Sequence, residues 1–104
     1  MTDTPAHAIE PVWLVQATYS PDAAETRTPF RARHLARAAE LKAAGVIVEV
    51  GAYADVSASV LIIRAATEED ALDVCREDIY MQNGVWVELR AKAFGRLRQE
   101  SEAG

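Results

Sequence analysis

The chain has 104 residues, 50% hydrophobic and 26% charged, a composition that fits one globular domain and excludes a polar disordered segment. Its 16 acidic against 11 basic residues leave a net charge of -5, which argues against a nucleic-acid partner, because phosphate binding rests on clustered Lys and Arg. The one cysteine, Cys75, allows neither an internal disulfide nor a Cys-x-x-Cys metal site, and no run of about 18 apolar residues is present, so a cytoplasmic protein without membrane contact is expected.

In chain order, residues 1–11 carry Pro5, Pro11 and mixed polar residues, without the basic and apolar regions of a signal peptide, and read as a flexible leader. His7 falls in it and receives no functional role, since a site needs rigid support. Residues 12–19, rich in β-branched and aromatic side chains, read as a first strand closed by Ser20-Pro21-Asp22. A polar connection follows. Thr28 as N-cap and Pro29 at the first helical position then open a helix to about Ala44, stopped by Gly45.

Within that helix His34 shares one face with Phe30, Ala38, Leu41 and Gly45 by the spacing that repeats along a helical side, so it points toward the body of the fold. Two readings stand for it: an imidazole packed with one hydrogen-bond partner, or a general acid or base, since histidine changes charge near neutrality. Arg27, Arg31, Arg33 and Arg37 cluster in the same region; they read as a solvated face from which one arginine can turn to an anionic substrate.

Residues 46–53 and 59–64 form a second and third strand, joined as a hairpin through Asp55-Val56-Ser57. Thr67-Glu68-Glu69-Asp70 resembles a capping box that opens a second helix through Cys75, whose thiol shares the inward face with Ala71 and Val74 and reads as buried and structural. After Asp78-Ile79-Tyr80-Met81-Gln82-Asn83-Gly84 comes a fourth strand over residues 85–94, and a charged tail over 98–104 is expected to fray. Trp13 and Trp86 sit on the bracketing strands, either lining a pocket or filling core space.

The order βαββαβ defines an α+β, ferredoxin-like domain over residues 12–97: a four-stranded antiparallel sheet with two helices on one face. The first strand alternates Val12, Leu14, Gln16, Thr18 with Trp13, Val15, Ala17, Tyr19, so neither face is plainly solvated. A face without helices calls for a second copy and predicts a symmetric homodimer; a domain this small would complete a large pocket with that partner. No metal-ligand spacing and no Gly-rich phosphate loop is present, so neither metal nor cofactor is expected.

The chain resembles the YciI-like (YCII-related) family of small dimeric α+β barrel proteins. The match lies in Arg31-x-x-His34-Leu35, Leu41 and Gly45 on the first helix, then Gly51, Ser59, Asp78-Ile79-Tyr80, Gly84-Val85 and Phe94. It departs from the family pattern where Gly51-Ala52, Asp78-Ile79-Tyr80 and Ala93-Phe94 lack prolines, which frees backbone φ and restores N–H donors. The resemblance implies an acid-base pair, His34 and Asp78, with the carboxylate fixing the imidazole tautomer. Asp78 has a second reading as a turn residue bonded to local backbone. Tyr80, Ser59 and Arg31 are the candidate substrate-binding residues.

The function expected from this equipment is a small cofactor-independent enzyme that moves protons on a small cyclic or aromatic metabolite, by isomerisation, elimination or dehydration. Two other classes stay open: a non-catalytic metabolite-binding module, and, by fold analogy alone, a cofactor-free oxygenase.

Overall fold

In the computed structural model, which describes residues 7–99, the chain runs β1 (His7–Tyr19), α1 (Ala23–Thr26), a 3-10 turn (Thr28–Phe30), α2 (Arg31–Ala43), β2 (Ile47–Ala52), β3 (Ala58–Ile63), α3 (Glu68–Arg76), α4 (Ile79–Gln82) and β4 (Trp86–Gln99). The strands form one antiparallel sheet in the order β2-β3-β1-β4. The ferredoxin-like α+β arrangement is thus as expected.

Register explains the core. Val15, Ala17 and Tyr19 lie opposite Leu61 and Ser59 on one side and Ala91, Leu89 and Trp86 on the other, so these residues share a face. That face carries the helices, and Val15, Ala17, Tyr19, Ile47, Leu61, Ile63, Ala71, Cys75, Tyr80, Val85 and Trp86 are buried there as one cluster. The alternate residues Leu14, Gln16, Val60 and Ile62 are only half-buried on the other face, beside the exposed Arg90 and Lys92.

The helix boundaries have identifiable causes. The Thr67 hydroxyl accepts the Asp70 N–H at 3.1 Å and starts α3, as the capping pattern predicts. Gly45 (φ +81) and Gly84 (φ +72) end α2 and α4 in the same way: Val46 N–H bonds Leu41 O and Gly45 N–H bonds Lys42 O, while Val85 N–H bonds Tyr80 O and Gly84 N–H bonds Met81 O. Thr28 caps nothing. The chain passes through the 3-10 turn at Pro29 before α2 begins at Arg31, and α1, not foreseen in the polar connection, precedes it. The segment between α3 and the last strand likewise contains a helix, α4.

Both ends of the expected domain need correction. His7–Pro11, read as leader, extend β1, and residues 96–99, read partly as tail, extend β4, with pairs from His7 with Gln99 to Val12 with Phe94. Over this stretch β1 has β4 as its one strand neighbour among the described residues, a setting that tolerates Pro11. Glu10 fastens the ribbon to the body. Its carboxylate accepts from Arg64 Nε at 2.6 Å and from Arg96 Nη1 at 3.1 Å, and the Arg64 hydrogen bond above all holds its pKa below the ordinary value. The rest of the leader and tail, residues 1–6 and 100–104, lies outside the described residues.

In the β2-β3 turn, Val56 takes φ 58, a strained conformation for a β-branched residue. Tyr53 O accepts the Val56 N–H and Asp55 Oδ1 accepts the Ser57 N–H.

Candidate active site

His34 sits one turn into α2 and is 6% exposed, pointing into the fold as its helical spacing predicts. Asp78 is 3% exposed and stands at the N-terminus of α4, 44 residues further on. The two meet at 2.8 Å between Nδ1 and Oδ1. Asp78 Oδ1 also accepts the Tyr80 N–H at 2.9 Å, and Oδ2 accepts from Arg37 Nη1 at 3.2 Å. A carboxylate offers only acceptors, so in the neutral imidazole the donor toward Asp78 is Nδ1–H and the free lone pair falls on Nε2. Asp78 thus caps α4 through the Tyr80 N–H, as its turn reading predicts, and the same carboxylate touches the His34 ring.

Aromatic rings fix the imidazole plane. Tyr80 stacks on it with centroids 3.7 Å apart and planes 7° from parallel, and Trp86 meets it edge-on at 5.3 Å and 88°. Trp86 and Tyr80 are themselves perpendicular at 5.7 Å. Trp86 therefore meets the core alternative, filling core space directly against His34, and its indole N–H has no hydrogen-bond partner among the described residues. Trp13 lies elsewhere; it donates to Ala65 O at 3.2 Å and lines an apolar groove of about 630 Å³ with Ile9, Val12, Phe94 and Gly95.

His34 opens onto a second cavity, of about 180 Å³, shared with Tyr19, Arg27, Arg31, Leu35, Val50, Gly51 and Tyr80. An apolar cavity of about 150 Å³ is enough to admit benzene, so one small ring fits this space. Nε2 makes no hydrogen bond among the described residues, which leaves it for a ligand. Tyr80 is buried, and desolvation raises its hydroxyl pKa, with Arg27 and Arg31 pulling the other way.

Of the predicted site residues, His34, Tyr80 and Arg31 line the cavity, and Asp78 supports His34 from behind. Ser59 lies one residue removed: its hydroxyl donates to the Tyr19 hydroxyl at 3.1 Å, and Tyr19 is the one at the wall. Tyr19, Arg27 and Arg37 were not singled out for these places. Arg37 spans Asp78 and the Val74 carbonyl, the latter at 2.9 Å, and so ties α2 to the end of α3. Its position three residues after His34 on one helix face is the signal that was there to find.

Cys75 is 1% exposed, and burial first, with the Asp78 charge second, pushes its thiol up to about 12. An unfolded chain ionises the same thiol near 8.5, so between that pH and 12 the unfolded state binds fewer protons and stability falls as pH rises. The native thiol is accordingly expected to resist a disulfide reagent at pH 8 and to react fully in denaturant. Urea titrations should show an alkaline loss of stability that Cys75→Ala lacks.

Among the described residues no three His, Cys, Asp or Glu side chains gather to hold a metal ion, and no helix is long and apolar enough to cross a membrane.

Comparison with known proteins gives two matches of consequence. The YCII-related domain family matches residues 12–95. A solved structure, the 5-chloro-2-hydroxyhydroquinone dehydrochlorinase TftG from Burkholderia phenoliruptrix AC1100 in complex with 2,5-dihydroxybenzoquinone, superposes with a TM-score of 0.69 at 21% identity, covering 80% of this chain and 92% of its own. At that identity the likeness speaks for the fold. No curated protein matches the chain.

Proposed function

The chain belongs to the YCII-related family, and on that premise we propose that it is a cofactor-independent enzyme that transfers a proton on a small cyclic molecule, with His34 as general acid-base and Asp78 as the residue that orients it. The observation that carries the reading is the 2.8 Å contact between His34 Nδ1 and Asp78 Oδ1, made by an imidazole that also walls a cavity of monocyclic size.

The chemistry is a proton removed from ring carbon or hydroxyl by Nε2, with the electron pair moving into the ring. In an elimination the pair expels a leaving group with its bonding electrons; in an isomerisation the imidazolium returns the same proton to another ring atom. The Tyr19 and Tyr80 hydroxyls supply donors at the cavity wall for an oxygen on which charge develops. The name of the TftG neighbour, a dehydrochlorinase of a hydroxyhydroquinone, supports a lyase acting on a ring substrate. We further propose a homodimer through the helix-free face, where Leu14, Val60 and Ile62 are half-buried in one copy, and a cytoplasmic location, which a free buried Cys75 fits.

The test is isotope exchange: hydroxylated monocyclic quinols and enones incubated in deuterated buffer should gain ring deuterium or lose a leaving group with the protein present. Binding without either change would leave a ligand-holding module and sink the enzyme reading. Sedimentation should give twice the monomer mass, and Ile62→Lys, on the open face, should shift it toward monomer.

A further inference from the structure

Resting on that proposed reading and specifying its substrate, we propose that the cavity beside His34 selects an anionic ring, one bearing a carboxylate or another negatively charged oxygen, and that Arg27 and Arg31 read the charge. Acidic residues outnumber basic ones in this chain by 16 to 11, yet none of the side chains lining this cavity is Asp or Glu. Its ionisable wall consists of two arginines, one histidine and two tyrosines. A cleft lined by one sign of charge concentrates the opposite charge even when the molecule as a whole repels it.

The two arginines are also uncommitted. Arg37 holds Asp78, Arg64 holds Glu10, Arg76 holds Glu69 and Asp73, and Arg90 holds Glu88. Arg27 and Arg31 hold no carboxylate and make no side-chain hydrogen bond among the described residues. Their backbones are fixed all the same: the Arg27 N–H bonds Ala23 O at the end of α1, the Arg27 carbonyl accepts the Phe30 N–H across the Pro29 turn, and Arg31 begins α2. Rigid backbone with unclaimed guanidinium groups at a cavity mouth is what recognition of a negative oxygen requires. The influence of both arginines reaches the Tyr80 hydroxyl inside.

The experiment compares 2,5-dihydroxybenzoate with its neutral amide, 2,5-dihydroxybenzamide, by isothermal titration at low ionic strength. The acid should bind at least about tenfold tighter, the scale of one charge-assisted hydrogen bond. That preference should collapse in the Arg27→Gln/Arg31→Gln double variant and shrink at high salt, and it should persist in Arg33→Gln, an exposed arginine of the same helix that does not line the cavity. Equal affinities, no binding of the acid at millimolar concentration, or a preference that survives the double variant would each overturn the inference. Proton transfer is judged apart from these outcomes, by the deuterium exchange described above.

Discussion

Turnover in His34→Gln is expected to fall by about 10²- to 10⁴-fold while the chain stays folded, the range that a positioned acid-base side chain contributes. Glutamine keeps much of the side-chain volume and can still donate to Asp78, but it neither takes nor gives a proton near neutral pH. The lost stacking on Tyr80 should cost about 1 kcal/mol, which leaves the thermal transition measurable and separates chemistry from folding. A His34→Gln protein with wild-type turnover would remove the acid-base assignment altogether.

The second large effect is on Asp78. In Asp78→Ala three donors lose their acceptor together: His34 Nδ1–H, the Tyr80 N–H and the Arg37 guanidinium. Breaking a buried charged pair by deleting one partner costs about 3–5 kcal/mol. The lower end applies, because the Arg37 side chain is 28% exposed and regains water. Against a typical stability of about 5–15 kcal/mol, that loss is a large fraction, so the informative variant is Asp78→Asn. Its amide oxygen can still serve His34 and Tyr80, with the amide nitrogen turned toward Arg37, donor against donor. A milder loss in urea titrations is expected, with kcat down on the order of 10²-fold from a misplaced imidazole. KM should be nearly unchanged, since Asp78 does not line the cavity. A KM increase with intact kcat would instead make Asp78 a ligand-binding residue.

The βαββαβ order was readable because alternation in the strands, the Thr67 cap and Gly45 after α2 are local signals that agree with one another. The inward direction of His34 followed from helical spacing for the same reason. What the pattern hid is long-range. Helical spacing puts Arg37, and not Arg33, on the His34 side of α2, but nothing local shows that it reaches across to the Asp78 carboxylate. The ribbon at 7–11 and 96–99 escaped notice because Pro11 and a run of mixed charges usually mark irregular chain; here cross-strand pairing and the Glu10 ion pairs override that preference. The place of Tyr19 at the cavity wall, with Ser59 behind it, depends on strand register, which composition does not reveal.

Trp86, edge-on to the His34 imidazole, gives the protein an optical reporter of its own. With Trp13 replaced by Phe, the remaining emission comes from the indole that touches His34 and Tyr80, so a ligand entering beside them can be followed, and libraries screened, by the change in that one signal.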